Sequence, residues 1–114
     1  MTSTPDRAAQ ARPIVRLLDL LGRRWAMRIL WELRGEPRTS RHLRAACDDA
    51  SPGVVQTRLH ELGRADLVGK QPGGGYVLTD LGRDLLHTFL PLHAFAERWA
   101  ARPSGEDDGD VAPG

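Results

Sequence analysis

Three hydrogen-bonding side chains and one glycine of this 114-residue chain are placed to meet a polar surface of fixed pattern. In the segment from Pro52 to Leu62, Val55, Leu59 and Leu62 share one face at 100° per residue, which turns Gly53, Gln56, Thr57 and His60 outward. Glutamine can pair with adenine N6 and N7, threonine can touch a thymine methyl or a phosphate, and histidine can donate to guanine. Gly53 lets a backbone come close. On periodicity alone an ordinary amphipathic surface helix accounts for most sequences with this pattern, so the weight lies in what surrounds this segment.

Cations surround it. Arg23, Arg24 and Arg28 precede it in one cluster, Arg38, Arg41 and Arg44 in another, Arg58 and Arg64 flank it, and Lys70 follows. Phosphate contacts fix register and base contacts specify, which is the division of labour this arrangement suits. Contacts to backbone and wing are expected from Arg24, Arg38, Ser40, Arg41, Ser51, Arg58, Lys70, Gln71 and Gly74. About half of the arginines should instead pair with Glu32, Glu36, Glu61 or Asp66.

Other groups carry weaker signals. Cys47 is the sole cysteine, on an apolar face with Arg44 nearby, and reads as a small core residue before a redox handle. Asp84, His87, His93 and Glu97 lie along one segment, but their spacing matches no metal site that ligand geometry supports. Trp25, Trp31 and Trp99 could line a small-molecule pocket, although large aromatics at helical spacing usually pack in a core. No GxSxG, HExxH, P-loop or dinucleotide fingerprint is present, so neither an enzyme nor a cofactor is implied.

The elements that must hold these groups follow from period and caps. Ile14, Leu17, Leu18 and Leu21 have helical spacing, Gly22-Arg23-Arg24 interrupts it, and Trp25, Ile29, Leu30 and Leu33 resume it up to Gly35-Glu36-Pro37. Thr39 or Ser40 caps a short helix carrying Leu43, Ala46 and Cys47, ended by Asp48-Asp49-Ala50. Ser51 with Pro52 opens the polar-faced helix, which runs to Leu62 or Gly63. Leu67–Gln71 and Tyr76–Leu78 flank Pro72-Gly73-Gly74-Gly75 as a hairpin. Thr79 caps a last helix to about Ala101, which Pro91 should kink. Its Leu85, Phe89, Leu92, Ala96 and Trp99 step by 4, 3, 4 and 3 as a seam for a partner helix.

A helix pair followed at once by a glycine-tipped hairpin is a winged helix-turn-helix: mostly α, with a small β wing. The expected domain spans 13–102, between disordered tails at 1–12 and 103–114. Dimerisation is expected through the first and last helices, using Ile14, Leu17, Leu21, Leu85, Phe89, Leu92 and Trp99.

Bulk composition agrees. One domain of this length has little room for separate cofactor and substrate units. The net charge of +1 conceals an acidic tail with Glu106, Asp107, Asp108 and Asp110. Residues 1–102, with sixteen basic and eleven acidic side chains, carry +5, and fifteen of the sixteen cations are arginine. There is no apolar run long enough for a membrane span and no signal-like N-terminus, so a cytoplasmic protein is expected.

Several segments together resemble the HxlR-type regulators. PIVRLLDLLGRRWAMRILWEL (13–33) is similar to that family's opening, where Asp-x-apolar-Gly-x-basic-Trp leads into Ile-Leu-x-x-Leu. SPGVVQTRLHELGRADLV (51–68) resembles its recognition helix, and YVLTDLGRDL (76–85) and FAERWA (95–100) resemble its return strand and last helix. The resemblance implies a DNA-binding transcriptional regulator, homodimeric on an inverted-repeat operator. Two alternatives stay open at this point: a winged-helix module for protein contacts alone, and a metal-responsive repressor. Thiol-sensing members carry a cysteine where this chain has Arg12, which excludes sensing through that position. The wing is shorter than is common in the family, and Gly53 stands where a basic residue is frequent.

Overall fold

The computed structural model describes residues 12–103. The two expected tails therefore lie, but for Arg12 and Pro103, outside the described residues.

Helix α1 (Pro13–Leu21) starts at a proline on its first turn and stops where the Gly22 N–H donates to the Leu18 carbonyl at 2.8 Å. Trp25 then takes a left-handed conformation, φ 73°, and serves as the N-cap of α2 (Ala26–Glu32). Ala26, Ile29 and Leu30 of α2 are buried, whereas α1 buries no residue fully. Helix α3 (Ser40–Ala46) is capped by Thr39, whose Oγ1 accepts the His42 N–H at 3.1 Å. Asp48 and Asp49, both at φ 55°, reverse the chain into α4 (Pro52–Arg64), capped by the Ser51 hydroxyl, which accepts the Val54 N–H. Aspartate tolerates this region better than most residues because its short side chain can hydrogen-bond locally.

The first strand of the hairpin is shorter than the expected Leu67–Gln71, and the second has the expected bounds. Strand β1 (Val68–Lys70) pairs antiparallel with β2 (Tyr76–Leu78), with Val68 opposite Leu78 and Lys70 opposite Tyr76. Gly74 at φ 101° makes the turn, for which a side chain would be strained. A separate bridge adds to the three pairs of the hairpin: Arg38 and Tyr76 exchange backbone hydrogen bonds of 3.1 and 2.8 Å, tying the segment before α3 to the wing.

Helix α5 (Asp80–Ala101) continues as one helix across Pro91. Its start is anchored twice by Thr79, whose Oγ1 accepts the Gly82 N–H at 2.9 Å and donates to the Asp66 carbonyl at 2.6 Å. Gly82 lies directly on the chain entering the wing. A β-carbon there would run into the Leu67 carbonyl oxygen, with the carbonyl carbon at 3.0 Å and Leu78 Cδ2 at 3.3 Å.

The core joins α2, α3, α4, the wing and the first turns of α5 through Ile29, Leu30, Leu43, Val55, Leu62 and Leu86. Removing side chains of this size from water is worth about 1.5–3 kcal/mol each. Burial ends there. Every residue from Leu90 to Arg102 is exposed, including Leu92, Phe95 and Trp99, the last at 57%. On α1 the exposed apolar residues are Ile14, Val15 and Leu18. Leu21 is partly buried against the core, and Leu17 lines a groove with Leu67, Leu81 and Leu85.

Candidate nucleic-acid interface

Helix α4 presents the face its periodicity implies. Val55, Leu59 and Leu62 are buried, and Gly53, Gln56, Thr57 and His60 are all exposed. Nothing lies within 4 Å of where a Gly53 β-carbon would sit, so this end of the helix is open to a close approach. Gln56, His60 and Arg64 form one wall of a groove of about 380 Å³ whose other wall is the wing, with Gly69, Lys70 and Tyr76. The Lys70 ammonium stands 5.7 Å from the centroid of the Tyr76 ring. Hydrogen-bonding side chains and two cations thus share one concave strip between helix and hairpin.

The arginines divide by what they already hold. The Arg58 side chain is only 17% exposed; its Nε donates to the Arg24 carbonyl at 2.9 Å and its Nη1 to Glu61 Oε1 at 2.6 Å. Arg23 adds a contact to Glu61 at 3.6 Å. This group clamps α4 to the α1–α2 connection, so Arg58, expected at the phosphates, is committed within the fold. Arg38 is partly committed, with its Nε donating to the Glu32 carbonyl at 3.4 Å and its guanidinium 3.6 Å from Glu36. Arg44 donates to the Ala50 carbonyl at 3.0 Å and steadies the α3–α4 turn, and Arg28 pairs with Glu32. Arg41, Arg64 and Lys70 are exposed and make no ion pair among the described residues, and exposed Arg24 lies over the Trp25 ring at 5.0 Å. Asp66 takes no cation among the described residues; its backbone carbonyl serves Thr79 instead.

Ser51 is exposed, Ser40 half-buried on the first turn of α3, and Gln71 and Gly74 lie at the wing tip, where the Gln71 N–H donates to the Gly75 carbonyl at 2.7 Å. Arg64 is the contributor that sequence reasoning underweights. It lies four residues beyond His60, so it follows the outward row by one helical turn.

The remaining chemistry separates in space. Cys47 is fully buried, and burial pushes its thiol above its ordinary pKa, with Arg28 opposing and Glu32 and Asp48 reinforcing the shift. Arg44, its sequence neighbour, is not among the causes. Among the described residues no three His, Cys, Asp or Glu side chains come together as metal ligands. The three tryptophans do not form one pocket. Trp25 lines a cavity with Cys47 and Val54, Trp31 another with Arg34 and Leu86, and Trp99 stands exposed near the end of α5, because Trp25 caps one end of α2, Trp31 lies near its other end, and Trp99 belongs to a different helix. None of the described helices is long and apolar enough to cross a membrane.

Solved structures match this fold over most of their length. Quinone-bound YodB from B. subtilis is 27% identical with a TM-score of 0.71, covering 77% of this chain and 99% of its own. A possible HxlR family transcriptional factor from Thermoplasma volcanium GSS1 is 22% identical with a TM-score of 0.68, covering 79% and 86%. A MarR-family regulator from Enterococcus faecalis V583 is 21% identical with a TM-score of 0.69, covering 83% and 94%. Among curated proteins nothing matches the sequence. The model of the HxlR-like helix-turn-helix family matches residues 20–104, the stretch that holds α2 to α5, the polar face of α4 and the wing. The chain therefore belongs to the HxlR-like helix-turn-helix family and is a DNA-binding transcription regulator rather than an enzyme.

Proposed function

We propose that this regulator acts in the cytoplasm as a homodimer on an inverted-repeat operator, with α4 of each subunit in the major groove and the wing beside it. Gln56, Thr57 and His60 read base edges, and Gly53 admits the backbone closely. Arg24, Arg41, Arg64 and Lys70 hold phosphates, helped by the polar groups of Ser40, Ser51, Gln71 and Gly74 and, in part, by Arg38. Arg58 serves by fixing the pitch of α4. The observation that carries this reading is the groove in which Gln56 and His60 face Lys70, because it joins base-reading and phosphate-holding groups on one surface.

Dimerisation is supported by apolar surface left over in the single chain. Leu92, Phe95 and Trp99 of α5 and Ile14, Val15 and Leu18 of α1 are all 50% exposed or more. Phe89 and Leu85 are half-buried at the root of the same helix. Two-fold pairing along α1 and α5 covers both stripes at once. Leu17 and Leu21 then act mainly in seating α1 on its own subunit. A small-molecule effector also suits the family, as the quinone held by one neighbour indicates, but here Arg12 precedes α1 and no thiol stands there.

Selection of bound fragments from genomic DNA, followed by hydroxyl-radical footprinting, tests this reading. Two protected patches related by a two-fold axis and centred about 34–36 Å apart, or a multiple of that, are expected. A single protected half-site, or no selected sequence, contradicts it.

A further inference from the structure

A second concavity lies apart from the helix–wing groove and shares no residue with it. It encloses about 280 Å³ between the end of α2, strand β2 and the middle of α5. Its floor is apolar, made by Leu78 and Leu86, both buried, with Leu90 at the rim. Trp31 forms a side wall. Its position is held by the Arg34 guanidinium, 4.0 Å from the ring centroid, and by His93, whose ring lies within 5° of parallel at 6.3 Å.

The charge at the rim has one sign. Arg34 and Arg83 both line the opening, no carboxylate does, and neither arginine makes an ion pair among the described residues. Arg34 spends one N–H on the Trp31 carbonyl at 2.9 Å, which leaves most of its donors free and fixes the direction of its fork. Two guanidiniums over an apolar floor with an aromatic wall suit a ligand with a flat apolar body and an anionic end. The volume falls near the lower edge of small-ligand pockets, roughly 300–1,000 Å³, so one ring with a short acidic arm fits and a multi-ring cofactor does not.

We propose that this cleft binds a small aryl carboxylate, with its ring on Leu86 and Trp31 and its carboxylate on Arg34 and Arg83. The site is distinct from the tryptophan cluster expected from sequence, because it uses Trp31 without Trp25 or Trp99. It touches the wing through Leu78 and the long helix through Leu86 and Arg83. An occupant therefore bridges the two elements whose relative position sets the wing. Binding itself does not depend on the reading of α4.

Calorimetric titration of the full-length protein with benzoate, and with benzamide as its neutral counterpart, tests the proposal. Benzoate should bind, and benzamide should bind at least about tenfold more weakly, since contacts to charged donors are the stronger ones. Arg34→Gln and Arg83→Gln should each weaken benzoate about tenfold or more. Both side chains are exposed, so these variants should keep the wild-type circular dichroism spectrum. Arg16→Gln, on the exposed side of α1, should leave benzoate affinity unchanged. Three results would each overturn the assignment: no heat up to about 10 mM benzoate, well beyond a millimolar affinity; equal binding of benzamide; or losses in Arg16→Gln matching those in the other two.

Discussion

Replacing Gly82 by alanine sets two known effects against each other, and the structure decides which wins. Helix propensity favours alanine over glycine by at most about 1 kcal/mol. Packing opposes it, because the added methyl would meet the Leu67 carbonyl oxygen, a backbone atom with no rotamer to change. That same carbonyl accepts the Thr79 N–H at 3.1 Å, and Thr79 in turn holds the Gly82 N–H and the Asp66 carbonyl. Relief must therefore move the start of α5 away from the wing. Overpacking costs about 1–3 kcal/mol and a weakened backbone hydrogen bond about 1 kcal/mol more, so the net is a loss of roughly 1–3 kcal/mol. In a domain of this size that lowers the melting temperature by about 5 °C or more. Thermal unfolding at fixed protein concentration reads it, since a dimer's melting point moves with concentration. Gly53→Ala is the internal control. Nothing lies within 4 Å of its β-carbon, so it should raise stability by about 0.5–1 kcal/mol. A Gly82→Ala protein as stable as the parent, or more stable, would refute the packing argument.

Arg58→Ala should lower stability by roughly 1.5–3 kcal/mol in denaturant titration, because it leaves the Arg24 carbonyl without its donor and Glu61 with only the longer Arg23 contact. Arg41→Ala should leave stability within about 0.5 kcal/mol and instead flatten the salt dependence of DNA binding by about one unit of slope. Trp99→Ala should shift the protein toward monomer in light scattering, with a dimer dissociation constant raised by about two to three orders of magnitude, if the exposed indole becomes buried on pairing. Cys47 has a sign worked out from its raised pKa. The fold favours the neutral thiol, so its contribution is complete below the ordinary thiol pKa and is lost as pH rises through the higher folded value. Cys47→Ala should remove that alkaline decline in stability, and alkylation of the native protein at pH 8 should be far slower than after unfolding.

Much of this fold is legible in the sequence. Ser51-Pro52, Thr39 or Ser40, and Thr79 mark three helix starts by cap chemistry; the structure selects Thr39 over Ser40, and the Thr39, Ser51 and Thr79 hydroxyls each accept a first-turn backbone N–H. The buried and exposed faces of α4 follow from its period. What sequence could not supply depends on partners distant along the chain. Arg58 and Arg41 are alike as residues, yet one reaches the Arg24 carbonyl 34 positions away and the other reaches solvent. The Arg38–Tyr76 rung is too short to show a strand's alternation. The left-handed Trp25 leaves no trace in composition, since nothing local requires a bulky residue at φ 73°. On α1 an apolar stripe was legible but not its allocation, which puts Leu17 and Leu21 against the parent subunit and leaves Ile14, Val15 and Leu18 outside.

Operator recognition by this regulator depends on the outward face of α4 reading base edges. The most direct measurement compares the affinities of the parent and the Gln56→Ala/His60→Ala variant for a selected operator and for a scrambled duplex, at matched salt. Each base-edge contact carries about 1–3 kcal/mol of discrimination, so the operator affinity should fall by at least about thirtyfold while the scrambled duplex changes little. Equal losses on both duplexes would show that these side chains do not discriminate among bases, and would contradict the central claim.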